Sequence, residues 1–445
     1  MRNICTFAAM KRNNIIKFRF WLTFLLVLPC CVNAFGIRLT FCQADSLLVL
    51  RNLTLRSAHM DISAAEGNLA QSSRYDNPTM SVMYNIQNPT NRRWFDPGRT
   101  GEIDVQFSQP FAIGGQHAEL VKQDDALLRA SRNQLSVTHR DLRTEVHVTM
   151  VDLYYQQRQA TVYDEEIVSA EKILAAYREQ TSRGNIAAIE TQRIATMVYQ
   201  LRKSRTDLLL EASALQARLR QMLMLDDDSI TVDINEQEAI DEASRLYIAV
   251  AGTPATAIET MPEMQLIDCQ GEAAKHSLRW QRSQSLPQMS VQGEYDKNGS
   301  IGHNYFAVGL SVTVPLWNRN RGNIRKAQVA VEQAAVEADR QRNAIKQQRQ
   351  ADLDIVEQYL KQLAEPTPTL DSDISMMLHA AEKQFMSRHI SLVEFVDLYD
   401  NYRDTMLARL DAKSKMLQAA ERLKIIWGNA QQSADGEREG TYEKK

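Results

Sequence analysis

The chain has 445 residues, enough for two or three ordinary domains, and a formal net charge of −3. That balance argues against a nucleic-acid polyanion as partner. With 17 Gly, 11 Pro and only 7% aromatics, beside abundant Ala, Gln, Arg, Glu and Leu, the composition favours long helices over a loop-rich enzyme.

Lys11, Arg12, Lys17 and Arg19 precede an apolar core, Phe20 to Leu28, that is short for a membrane span. Residues 1–34 read as an export signal peptide cleaved after Val32-Asn33-Ala34, with Cys42-Gln43-Ala44 as a second candidate site. The alternative is an N-terminal anchor helix. Cleavage after Ala34 leaves Cys42 and Cys269, which is no disulfide framework and no zinc site. Lipidation of Cys30, Cys31 or Cys42 is a further alternative, which Pro29 before Cys30 and Phe41 before Cys42 suit poorly.

Residues 45–76 form a helical segment, with Leu47, Leu50, Leu55, Ala58, Ile62, Ala65 and Leu69 at spacings of three to five. Asn77-Pro78 breaks it. From Thr79 to Ile86 the chain alternates, with Met80, Val82, Tyr84 and Ile86 on one face; a second alternation places Ile103, Val105 and Phe107 on one face. Pro110 and Gly114-Gly115 close this 77–113 strand pair. A first long helical hairpin spans 116–226, without Pro or Gly up to Ser182. Leu128, Leu135 and Leu142 recur seven apart, then Ile194, Leu201, Leu208, Leu215 and Met222, which is coiled-coil spacing. Asp226-Asp227-Asp228 ends it.

Residues 229–285 resemble the start of the chain. Strands follow over 286–315: Met289, Val291 and Tyr295 share one face, Asp296-Lys297-Asn298-Gly299 turns, and Phe306, Val308, Leu310, Val312 and Val314 continue it. A second long helical hairpin spans 320–428, with Ile324, Val331, Ala338 and Ile345 seven apart. The Pro366 and Pro368 pair should break or kink it. Residues 429–445 read as a disordered polar tail. The order is helix, two strands, long helix, turn, long helix, performed twice; Pro287-Gln288-Met289-Ser290-Val291 echoes Pro78-Thr79-Met80-Ser81-Val82. The fold class is therefore mixed α and β, mainly α.

Four strands with one apolar and one polar face cannot close a barrel alone. Three chains contributing four each would close one, removing the edges and turning the apolar faces to lipid. The helices carry Asp124, Asp125, Arg129, Arg132 and Arg140, so they must stand in water. A small soluble sandwich is the alternative, but no further strands are available to cover its apolar face.

This layout resembles the outer membrane efflux protein (TolC) family over about residues 45–430. Its most specific parts are Asn77-Pro78, Gln109-Pro110-Phe111 with Gly114-Gly115, and Val314-Pro315-Leu316-Trp317 with Gly322. The resemblance implies a homotrimer with a twelve-stranded barrel in the outer membrane of a Gram-negative bacterium and a helical tunnel in the periplasm. It implies an exit duct without cofactor, not an enzyme. The implied partners are a periplasmic adaptor (membrane fusion) protein and a proton-driven inner-membrane pump. Segments 45–76 and 229–285 would form the equatorial belt. Short loops and a compact tail are similar to the heavy-metal branch.

The resemblance also assigns sites. Arg183, Gly184, Ile186 and Glu190 fall in the first hairpin tip, and Arg388 and Ile390 in the second, where the adaptor docks. Glu394 and Asp397 match the two carboxylates, three apart, that ring the periplasmic gate. This chain has Glu at 394 where the family has Asp, and His389 where a small residue is usual. A solvated helix face is the plainer reading of the two carboxylates. Pro110, Gly114, Pro315 and Gly322 mark the barrel–tunnel junctions. Pro would end each strand and Gly would relax the change of direction. The 17 Met and His389 raise soft-metal handling, but Met80, Met222, Met289 and Met406 sit at packing positions, so no metal site is read. The rival class is a periplasmic coiled-coil structural or adaptor protein without a membrane barrel.

Overall fold

A computed structural model describes residues 37–442, except 89–90, 97, 99, 227–228, 253–254, 300 and 365–379. The expected export signal over 1–34 and the expected break at Pro366 and Pro368 fall outside the described residues. The elements in order are β1 (Ile37–Leu39), α1 (Phe41–Arg51), α2 (Leu53–Ser72), β2 (Thr79–Tyr84), β3 (Ile103–Phe111), α3 (Gln116–Ser182) and α4 (Ala188–Leu223). Then come β4 (Ile230–Val232), α5 (Glu236–Ala251), a 3-10 turn (Ala255–Thr260), α6 (Pro262–Ser283), β5 (Gln288–Gly299), β6 (Gly302–Thr313), α7 (Arg321–Ala364) and α8 (Leu392–Tyr442). Among the described residues no helix is long and apolar enough to cross a membrane.

The alternating runs pair as a four-stranded antiparallel sheet, β2-β3-β5-β6. Register places Met80 opposite Phe107 and Val82 opposite Val105. Val105 then faces Tyr295, Phe111 faces Met289, Met289 faces Val312 and Tyr295 faces Phe306. A period of two and aligned register gather these apolar side chains on one face. That face is bare: Val308 is 86% exposed, and Met80, Leu310 and Phe306 are exposed too. The sheet is open, with β2 and β6 as edges.

α3 has 67 residues, about 100 Å at 1.5 Å per residue. Its heptad face buries Leu128, Met150, Leu153 and Ile173, while α4 buries Ile194, Val198, Leu201, Leu219 and Met222. Two clusters hold the helices. One joins α1, α3, α4, α6, α7 and α8 around Leu48, Met150, Leu223, Met264, Val356 and Leu423. The other lies toward the hairpin ends, around Ile173, Val198, Phe385, Phe395 and Tyr399.

Several local expectations change. Segment 45–76 is two helices, because Asn52 ends α1 and caps α2: its Oδ1 accepts the Leu55 N–H at 3.0 Å and its amide donates to the Met222 carbonyl at 2.8 Å. β1 and β4 form an unforeseen two-stranded parallel sheet. Leu39 and Ala44 are buried in it and in α1, so cleavage after Ala44 would remove packed structure. α4 stops at Leu223, before the three aspartates, because Met224 turns left-handed (φ 50°). Asp296 to Gly299 extend β5, and the turn lies between Gly299 and Gly302, which pair with each other. The backbone of 429–442 continues α8 as helix rather than as a disordered tail; its Ala, Gln and Glu residues suit a helix and outnumber Gly436 and Gly440.

Candidate functional site

The two hairpin tips have the same turn. α3 ends with the Asn185 N–H donating to the Gln180 carbonyl at 2.9 Å, and the second tip with the His389 N–H donating to the Gln384 carbonyl at 2.9 Å. Each needs one left-handed residue, Gly184 (φ 76°) and Arg388 (φ 62°). Gly suits that backbone without cost; Arg388 adopts it with a side chain. Arg183 pairs with Glu179. Ile186 and Ile390 are half-buried, while Glu190 is exposed.

The structure brings the tips together through an aromatic stack. Tyr177 of α3 lies 5.5 Å from Phe385, Phe385 lies 4.4 Å from Phe395, and Phe395 lies 4.5 Å from Tyr399. The Tyr399 hydroxyl meets the Ser169 hydroxyl. Burial raises the Tyr177 phenol, with Glu190 adding to the rise and Arg388 opposing it. Glu190 and Arg388, from different hairpins, thus act on one ring.

Glu394 and Asp397 are both exposed in the first turns of α8. Glu394 also has a local job. Its carboxylate accepts the Ser391 N–H at 2.8 Å, and the Ser391 hydroxyl accepts the Glu394 N–H at 3.3 Å. This capping box starts α8 and lowers the Glu394 pKa, chiefly through the Ser391 N–H. Glu rather than Asp at 394 therefore fits the reach of the cap. Ser387 and His389 Nδ1 are 2.7 Å apart, which turns the imidazole into the tip. Among the described residues no three His, Cys, Asp or Glu side chains group as metal ligands.

Behind the tips, a crevice of about 570 Å³ lies between α3, α4 and α8, lined by Tyr163, Arg193, Gln200, Val396, Asp400 and Arg403. Arg403 pairs with Asp400 at 2.9 Å and Asp404 at 3.1 Å. Glu166 lies wholly buried beside them, and neither of its carboxyl oxygens has a hydrogen-bond partner among the described residues. Burial pushes its pKa up to about 8, against the pull of Arg403 and helped by Asp400 and Asp404. Nothing in the spacing of α3 singles out Glu166, because surface and buried glutamates look alike along a helix.

A second charged cluster sits at the middle of the helices. His147 is buried; its Nδ1 is 2.7 Å from Glu421 and its Nε2 is 2.9 Å from Asp45. Arg143 holds Asp45 at 2.9 Å, and Phe41 stacks on the imidazole at 4.6 Å. Burial lowers the His147 pKa, but its two carboxylate partners outweigh that and raise it. The cluster clasps α1 to α3 and α8.

At the sheet–helix junctions, Pro110 lies inside β3 instead of ending it, paired with Ser290. β2 has already stopped opposite Ser108, so β3 is paired on one side there and a missing N–H is tolerated. A Cβ on Gly114 would lie 2.5 Å from Leu286 Cδ1, so Gly114 permits close approach, while Gly115 (φ 73°) makes the turn. The Gln116 amide then donates to the Ser283 carbonyl at 2.8 Å. At the second junction Pro315 follows β6. Gly322 lies within α7 and does not make the bend; Asn320 does (φ 55°), and its amide donates to the Gln281 carbonyl and side-chain oxygen at 2.8 Å each. Both junctions therefore rest on the one segment 281–290.

Comparison with known proteins bears on this arrangement. Residues 46–223 match the family model described as outer membrane efflux protein. No curated protein sequence matches the chain. Among solved structures, a membrane protein from Pseudomonas aeruginosa superposes with a TM-score of 0.71 at 16% identity, covering 87% of this chain and 89% of that one. CusC gives 0.70 at 13% identity, over 88% and 94% of the two chains. The Campylobacter jejuni outer membrane channel CmeC gives 0.70 at 14% identity, over 88% and 86%. At these identities the likeness speaks for the fold.

Proposed function

From the match of residues 46–223 to the outer membrane efflux protein family model, we propose that the chain is a member of that family and the outer-membrane exit duct of a tripartite efflux system. The chain sits in the outer membrane, with its helices in the periplasm. The observation that carries the reading is the open four-stranded sheet, apolar on one face and unpaired at β2 and β6, joined to helices that are charged throughout. Three copies supply twelve strands, each β2 edge meeting a β6 edge, and the duplicated strand–helix order becomes six-fold pseudosymmetry around one pore. β5 and β6 have 12 residues each, beyond the roughly 9–11 that a tilted strand needs to span a bilayer.

In this reading the polar face, with Ser81, Gln106, Gln292 and Glu294, lines water. The tips at Arg183, Gly184, Ile186, Glu190, Arg388 and Ile390 point toward the inner membrane and meet the periplasmic adaptor, which couples the duct to a proton-driven pump. Three copies of Glu394 and Asp397 ring the narrow end and favour cations there. The chain moves cargo without changing it, so no reacting group is assigned.

The test is the mass of the mature protein extracted from membranes in detergent. A particle of three chains, lost to the soluble fraction only on denaturation, is expected. A monomer that stays soluble without detergent would overturn the duct.

A further inference from the structure

The second junction carries more than a change of direction. Between Asp296 and Glu332 the chain has no acidic residue. Within that stretch Arg319, Arg321, Arg325 and Lys326 are all exposed, and none has a salt-bridge or hydrogen-bond partner for its side chain among the described residues. Immediately before them, Val314, Leu316 and Trp317 are exposed, Trp317 to 94%. Val314 follows the even-numbered apolar face of β6, and Phe111 and Ile113 of the first junction are exposed as well.

This loop is held in place. The Leu316 N–H donates to the Val314 carbonyl at 3.0 Å, and Asn320 is fixed to Gln281 at 2.8 Å. The first junction has the apolar residues but a single such cation, Arg74, and not a cluster: its Lys122 pairs with Glu119 at 3.5 Å, and Glu119 also meets His276 at 2.7 Å. An unpaired basic cluster thus stands at one of the two junctions, directly beneath a bare apolar and indole surface. A Trp placed so belongs at the boundary of hydrocarbon and headgroups. Cations one or two turns further on fall at phosphate depth, and no acidic side chain among the described residues pairs with them.

We propose that Trp317 with Arg319, Arg321, Arg325 and Lys326 forms a binding site for anionic phospholipid in the periplasmic leaflet of the outer membrane. The Val314–Trp317 segment packs on acyl chains, and the four cations hold the headgroup phosphates. The proposal rests on the outer-membrane placement given above. It commits to lipid because the cations continue the lipid-facing side of the sheet; a neighbouring copy covering Trp317 is the competing occupant.

The test uses the full mature protein in detergent with equal phosphatidylglycerol and phosphatidylcholine, and lipid retained on the purified particle is read by mass spectrometry. Wild type should enrich phosphatidylglycerol. Each single Arg or Lys→Gln change should lower that preference up to about fivefold, as for a basic residue at an anionic surface, and the quadruple variant should erase it. Raising salt should weaken it too. Arg92→Gln with Arg93→Gln, in the loop at the other end of the sheet, should leave it unchanged. Equal enrichment in wild type and quadruple variant overturns the proposal, as does loss of assembly on Trp317→Ala, which would make the patch a contact between copies. Conductance in phosphatidylcholine bilayers separates the two claims: a pore without lipid preference sinks only the site, whereas no pore sinks the duct.

Discussion

At the scale of single residues, the buried carboxyl of Glu166 is the clearest point of tension. A buried acid whose folded pKa is raised binds its proton more tightly when folded, so stability falls as pH rises between the ordinary value near 4.5 and about 8. Glu166→Gln removes that dependence. It should raise the melting temperature of the detergent-solubilised protein at pH 8, by a stabilisation of a few kcal/mol, and barely change it at pH 4. An equal effect at both values would show that the site is wet. His147 and Asp45 behave in the opposite combination. The His147 pKa is raised, so its contribution is whole below about 6.5 and is lost as pH climbs through the folded value; the Asp45 pKa is lowered despite burial, which raises it, so its contribution persists down to that lowered pKa. Asp45→Asn should therefore destabilise by about 1.5–3 kcal/mol near pH 6 and by less near pH 9, as read by thermal unfolding. Neither group was visible in the sequence. Glu421 is 274 positions from His147, and no local pattern reports a contact of that range.

At the scale of elements, the junctions separate what a sequence shows from what only backbone geometry shows. Gly114-Gly115 and Pro315 fall just past the ends of β3 and β6, whereas Pro110 lies inside β3 and Gly322 inside α7. Which residue bends the chain was not legible, because Asn can replace Gly where the backbone turns left-handed. The consequence is measurable. Gly322 lies in α7 with open space around it, so Gly322→Ala should stabilise by up to about 1 kcal/mol. Asn320→Ala should destabilise, through loss of both bonds to Gln281. At the first junction Gly115→Ala should cost about 1–2 kcal/mol, more than Gly114→Ala, whose nearest neighbour is the movable end of Leu286. Chemical denaturation of the four variants gives the order directly. The strands were legible because a period of two with one apolar face survives even on an exposed sheet, and the long helices because heptads recur without Pro or Gly. The β1–β4 pair was not, since three-residue strands nearly two hundred positions apart leave no periodicity to read.

At the scale of the whole molecule, the open edges and bare apolar sheet face are surfaces a single chain leaves unsatisfied. The half-buried heptad face of α7, Ile324, Val331, Ala338 and Ile345, has the same character. Assembly of three chains in a bilayer would cover all of them at once, and would bring Glu394 and Asp397 to a common axis although each is exposed in one chain. The most direct measurement is single-channel conductance of the mature protein in planar lipid bilayers. Uniform, long-lived steps are predicted, with block by multivalent cations that weakens, or conductance that rises, in Glu394→Ala with Asp397→Ala. Folded protein that inserts without conducting would contradict the duct, and steps with unchanged size and block in the double variant would contradict the carboxylate gate.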